Sequence, residues 1–146
     1  MQTFVPYGPL FDSNALVLDR SRLGKQRVEA WQILNALQGR SKGWVNHPAT
    51  RMWRGYEAAL CQYGIAMCDE WLARGYTDTM RQRFIDNAPS GLVVPGWLQR
   101  IDVMRSHRSN LIRKDPAHYG PLWQGVPDNL PYVWPVTSDT ESLVSA

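Results

Sequence analysis

The chain has 146 residues, enough for one domain of ordinary size and too few for two. Apolar residues make up 44% of it and no apolar run approaches the length of a bilayer span, which excludes an integral membrane protein built of helices. The formal charge is +3, but all 16 Lys and Arg lie at or before Lys114, so residues 1–127 carry 16 basic against 10 acidic side chains, a net of +6. A basic body points to an anionic partner, with nucleic acid ahead of a membrane surface. Cys61 and Cys68 are seven residues apart, about 10 Å along a helix, too far for a disulfide and too few for a zinc site. They read as small buried hydrophobes in a reduced compartment. With no signal-like N-terminal run, the expected location is the cytoplasm, in association with the nucleoid.

In chain order, Met1 to Asp12 carries two Pro and one Gly and reads as an extended arm or short turn. Ser13 is a candidate cap for a short helix to Leu18. Leu23, Arg27, Ala30, Trp31, Leu34 and Leu37 recur at three- and four-residue spacing, which predicts a helix over 21–37 stopped by Gln38-Gly39. A polar loop over 39–46 follows. Asn46-His47-Pro48 then reads as a helix start, with Asn46 as cap and Pro48 in the first turn. The expected helix runs to Arg74, the longest of the chain, with Gly75 as its end. Thr77 or Asp78 opens a shorter helix to Asp86, residues 87–96 are a Pro/Gly loop, and a last helix covers 98–114. Beyond Pro116, Pro residues alternate with Tyr119, Trp123, Tyr132 and Trp134, the composition of an ordered strap laid over helices. The reading is all-α: one helical bundle of four to five helices over 1–136, with a flexible tail over 137–146.

Three clusters carry chemistry. The second helix brings Arg22, Lys25, Gln26, Arg27 and Glu29 together, one carboxylate among cationic and amide groups, a pattern that suits acid/base work in an anion-binding cleft. Trp44, Asn46, His47, Arg51, Trp53 and Arg54 crowd a helix start, where backbone N–H groups favour phosphate and Trp or Arg planes stack on bases. On the last helix, Arg105, His107, Arg108, Arg113 and Lys114 place basic groups on successive turns. Each cluster alone also fits solvated charge or core aromatics; together they favour DNA.

Three tracts resemble the pyrimidine-dimer DNA glycosylases, the endonuclease V-like enzymes. Leu23-Gly24-Lys25-Gln26-Arg27-Val28-Glu29 is similar to the helix carrying that family's Arg and acidic residue. The stretch from His47 through Tyr56-Glu57-Ala58 to Glu70-Trp71-Leu72-Ala73-Arg74-Gly75-Tyr76 is similar to its central helix. Lys114-Asp115-Pro116-Ala117-His118-Tyr119 is similar to its late aromatic turn. The resemblance implies a compact helical enzyme that binds and kinks double-stranded DNA at a damaged base. It implies an α-amine that attacks the sugar C1′, forms an imine and cuts the strand by β-elimination, assisted by a carboxylate and with no metal or cofactor. An α-amine has a reference pKa near 8, so a useful fraction is nucleophilic at neutral pH.

Two departures from the family pattern stand in the sequence. The chain begins Met1-Gln2-Thr3, so the amine of Met1, the amine of Thr3 after a two-residue clip, and Lys25 are the candidate nucleophiles. Aligning Arg27 with the family Arg puts Val28 in the acid's place and Glu29 one residue later, about 100° around the helix. Expected DNA contacts are Arg22, Gln26, Arg27, Trp44, Asn46, His47, Arg51, Arg54, His107, Arg108, Arg113, Lys114 and Tyr119, in a monomer. The expected function is a glycosylase with AP-lyase activity on damaged or modified pyrimidines. The alternatives are a non-catalytic DNA-binding module on the same fold, and a glycosylase for another base in which Glu29 activates water.

Overall fold

Apolar spacing at a helical period becomes seven α-helices among the described residues 1–135 of the computed structural model; the tail expected over 137–146 lies outside them. They are α1 Phe11–Val17, α2 Arg20–Leu37, α3 Pro48–Arg51, α4 Glu57–Ala73, α5 Arg81–Asn87, α6 Ile101–Lys114 and α7 Pro116–Tyr119. Single 3₁₀ turns, Gly96–Gln99 and Gly120–Leu122, precede α6 and follow α7. The bundle therefore has two more α-helices than the upper expectation, both extra ones only four residues long. No helix among the described residues is long and apolar enough to cross a membrane.

The core forms where α4 packs along α2, with α1 and α5 covering its other sides. Leu23, Ala30, Ile33 and Leu34 of α2 meet Ala59, Leu60, Tyr63 and Met67 of α4, all buried. Phe84 of α5 lies flat over Gly64, where a Cβ would stand 2.4 Å from the ring; a helix-weakening glycine is kept because that ring needs the space. The two cysteines are buried and unpaired. Burial pushes the Cys61 thiol up to about 11 and, with Asp78 alongside, the Cys68 thiol to about 12, so both act as inert core groups.

The helix expected from Asn46 to Arg74 is broken. His47, not Asn46, is the cap: its Nδ1 accepts from Ala49 N–H at 3.0 Å. After α3 the chain turns inward to bury Met52 and Trp53, then re-enters a helix through Gly55 at φ 87. Glu57 folds back to accept from the Gly55 N–H. The expected stops at Gly39 and Gly75 hold, both glycines having positive φ. The strap after α7 is pinned to α6 by side chains: Ser109 Oγ accepts from Leu130 N–H, Ser106 Oγ from Val133 N–H, and Asn110 Nδ2 donates to Leu130 O.

Candidate active site

An extended arm with no neighbouring strand must still find partners for its backbone groups. Residues 2–6 find most of them on helix side chains, while Thr3 N–H donates to Gln2 Oε1 and Val5 O accepts from Gly8 N–H. Gln26 Oε1 accepts from Phe4 N–H at 3.0 Å, and Gln26 Nε2 donates to Gln2 O at 2.8 Å. His107 Nδ1 accepts from Val5 N–H at 2.9 Å, and Arg108 Nε donates to Pro6 O at 2.9 Å. The Tyr63 hydroxyl places its single proton between Gln26 Oε1 at 2.6 Å and Phe4 O at 2.8 Å. Trp53 Nε1 donates to Thr3 Oγ1 at 2.9 Å. Phe4 and Val5 are buried at the same time, so the arm is held by both apolar and polar contacts.

This anchoring sets residue 1 at the rim of a cleft of about 450 Å³. Met1, Gln2 and Phe4 line it from the arm, Arg22, Lys25, Gln26 and Glu29 from α2, Lys114 from the end of α6 and Tyr132 from the strap. Three cations thus share the cleft with one carboxylate. Gln26 closes the constellation, because its amide donates both to Gln2 O and to Glu29 Oε2, the latter at 2.9 Å. It uses its full capacity of two donors and two acceptors, and its orientation is set by the Phe4 N–H. Arg22 is held at 3.1 Å from Asp19. Burial works against ionisation of Asp19, yet hydrogen bonds from Tyr119 and Arg22 outweigh it and keep the carboxyl below its usual range.

Beside the cleft stands an aromatic row. Tyr132 packs against Trp134 at 5.4 Å, Trp134 against His47 at 5.7 Å, and His47 against Trp44 at 5.6 Å. Burial lowers the His47 pKa, and the positive N-terminus lowers it further against an opposing pull from Glu29. His47 is therefore a neutral ring within the electrostatic reach of both.

The structure brings Met1, Arg22, Lys25, Gln26, Glu29 and Lys114 into this one cleft. It removes other expected residues from it. Thr3 is fully buried in the chain that begins at Met1, with its hydroxyl engaged by Trp53. His107 is also fully buried and contacts no phosphate-accessible surface; burial drives its pKa down to about 3, and its work is to hold the arm. Tyr119 is buried, bonded to Asp19 and stacked on Trp123 at 5.6 Å. Gln26 is 1% exposed, a positioning group rather than a surface contact.

Arg27 pairs with Asp78 at 2.6 Å and lies over the Trp71 ring at 4.8 Å, in an adjoining groove that shares Ser21, Lys25 and Glu29 with the cleft. Arg108 is spent on Pro6 O and on the faces of Tyr7 and Trp123. Arg113 bonds Asp128 O and Asn110, and Arg54 donates to Val45 O. Trp44, Asn46 and Arg51 stand exposed around α3. Four cleft residues, Gln2, Phe4, Ser21 and Tyr132, escaped the sequence reading as site residues. Gln2 had no distinguishing pattern, and Tyr132 was legible only as one strap aromatic among several.

A family model described as pyrimidine dimer DNA glycosylase matches residues 1–83. The matched stretch holds the arm, α2 and α4, and hence every cleft residue named here except Lys114 and Tyr132. No curated protein and no solved structure matches the chain. Since the matched residues make up more than half of the 146, the chain belongs to the pyrimidine dimer DNA glycosylase family, whose activity is the excision of damaged bases in DNA repair.

Proposed function

We propose that the protein is a glycosylase with AP-lyase activity on damaged or modified pyrimidines in duplex DNA, working through an amine at the arm's end. The observation that carries this reading is the single hydrogen-bonded unit of arm, Gln26 and Glu29 in one cationic cleft. In the proposed sequence the amine nitrogen attacks C1′ and forms a C–N bond, while the bond to the base breaks and the base leaves with its electron pair. A second N–H proton is lost as the sugar ring opens, giving an imine at C1′. Loss of a proton from C2′ then expels the 3′-phosphate, and water releases the cut strand. Glu29 receives and returns protons at the sugar; Arg22, Lys25 and Lys114 hold the flanking phosphates. Lys25 is the secondary candidate for the amine, because it lines the same cleft.

Borohydride reduction tests this directly. Duplex containing an abasic site or a dimer should give a covalent adduct with the wild-type protein, and selective blocking of the α-amine should abolish it. Glu29→Gln should slow adduct formation by 10²- to 10⁴-fold, the usual span of acid–base assistance. Adduct that persists after blocking and vanishes in Lys25→Ala transfers the role to Lys25. Complete absence of adduct sinks the imine route and leaves base excision by Glu29-activated water, or binding alone.

A further inference from the structure

Trp44 occupies a backbone position that suits it badly. Its φ is +66, the sole positive value among the described non-glycine residues. A bulky side chain there is strained, and such strain collects at working sites. Packing does not compensate: the side chain is 53% exposed, and its ring contact is the edge of His47. Gly43 immediately precedes it, so a residue suited to this conformation stands one position away. What the position supplies is a flat indole, half in solvent, at the outer end of the row Tyr132–Trp134–His47–Trp44 that begins at the cleft.

We propose that Trp44 is a docking platform for one base that has left the duplex stack at the lesion, presented beside the cleft in which the sugar reacts. The proposal deepens the functional reading above and rests on it. A glycosylase must open the stack to reach C1′, and an exposed indole recovers by stacking part of what the extruded base loses. Neutral His47, fixed through Nδ1 on Ala49 N–H, buttresses the indole edge-on and presents no charge to a base. Arg54, in the turn after α3, is exposed and donates to Val45 O, the carbonyl next to Trp44, which places a cation in the same loop for the backbone. Single-strand binding without reaction uses the same chemistry, but the adjoining cationic cleft favours a base displaced from a reacting duplex.

The test compares wild type with Trp44→Gly and Trp44→Phe. Glycine suits the positive φ, so Trp44→Gly should match or exceed the wild-type melting temperature, and Trp44→Asn serves as a second variant tolerant of that φ. Fluorescence anisotropy is read on a dimer-containing duplex, on its undamaged counterpart, and on dimer duplexes with a stable baseless residue replacing each neighbouring or opposing nucleotide in turn. The expected loss in Trp44→Gly is about 5- to 150-fold on the dimer duplex, the range of one base–aromatic stack, with undamaged duplex within twofold. Trp44→Phe should recover most of it. Deleting the docked base should erase the wild-type advantage at one position and no other. An equal loss on damaged and undamaged duplex, or no loss on the dimer duplex in folded variants, overturns the proposal. Trapping by the wild type on abasic duplex is read in parallel. Adduct without a lesion-dependent Trp44 effect sinks this inference alone; a lesion-dependent Trp44 effect without adduct sinks the amine mechanism alone.

Discussion

Replacing Gln26 by Leu keeps its volume and removes every hydrogen bond of the hub. Phe4 N–H and Gln2 O are left without partners, and Tyr63 retains only Phe4 O. Two buried unsatisfied backbone groups cost about 1–3 kcal/mol each, hence about 2–6 kcal/mol if the arm stays in place. The opposing restraint is the burial of Phe4 and Val5, about 1.5–3 kcal/mol each and about 3–6 kcal/mol together. The two sums are comparable, so release of the arm competes with unfolding of the whole domain. In Gln26→Leu the Phe4 and Val5 amides should lose hydrogen-exchange protection while those of α4 keep most of theirs. Urea unfolding should show a loss of about 2–5 kcal/mol, bounded by whichever route is cheaper. Borohydride trapping should fall by 10²-fold or more, since a displacement of about 1 Å in a reacting group has that effect. Gln26→Glu separates position from packing. Its carboxylate faces Gln2 O and Glu29 where an amide donor stood, so its adduct formation relative to wild type at the same pH should recover as the pH is lowered and the pair takes up a proton. A folded Gln26→Leu protein with a protected arm and wild-type trapping would refute the view that Gln26 places the amine.

Two further outcomes test the fold that supports the cleft. His107 has a pKa of about 3 when folded against an ordinary value of 6.5, so below pH 6.5 the unfolded chain takes up a proton that the folded chain refuses. Stability present above pH 6.5 is therefore lost as the pH falls toward 3, by about 2 kcal/mol at pH 5. His47 is lowered in the same direction, so urea midpoints of wild type and His107→Gln are compared at pH 7.5 and 5; equal slopes would rule His107 out as the cause. Gly64→Ala gains helix propensity of up to about 1 kcal/mol but drives a methyl to 2.4 Å from the Phe84 ring, an overpacking cost of about 1–3 kcal/mol. A net loss in urea unfolding, largely restored by Phe84→Leu in the same chain, is the expected result, and a more stable Gly64→Ala would contradict the packing argument.

Local signals with local causes were legible in the sequence. The 3.6-residue spacing of α2 and its stop at Gly39, the end of α4 at Gly75, and the Asp78 turn before α5 follow from residues within a few positions of one another. The break between α3 and α4 was missed because Met52 and Tyr56 fit the helical stripe. The decision lay with Trp53, which turns inward to reach Thr3, fifty residues upstream, and with Gly55, which permits the turn. His107 and Arg108 read as exposed DNA contacts on the last helix for the same kind of reason. Their partners, Val5 N–H and Pro6 O, lie 102 residues away on an arm whose own pattern says only that it is not helical. Pairings at that distance are set by tertiary packing, which no window along the chain contains.

The one-residue offset of Glu29 is measured from Arg27; measured from the arm, Glu29 stands on the stripe of α2 that faces the cleft. Along α2, Arg22, Lys25 and Glu29 follow one another at three- and four-residue steps, as do Arg22, Gln26 and Glu29, and all four line the cleft, whereas Arg27, Val28 and Gln32 line only the adjoining groove with Trp71 of α4; Lys25 and Glu29 border both. Arg27 is committed there to Asp78, a tie between α2 and the segment before α5, so it is a poor ruler for the face that lines the cleft. Gln26 is the better one. A glutamine 1% exposed on the inner face of a helix breaks the apolar pattern, and the break is compensated because its four hydrogen-bonding sites meet partners from the arm, α4 and Glu29. Three separate elements converge on that one amide. A departure from the core pattern whose every hydrogen-bonding site is satisfied marks where the fold gives up cheap packing to hold a geometry, and in this chain that geometry is the arm and Glu29 lining one cleft.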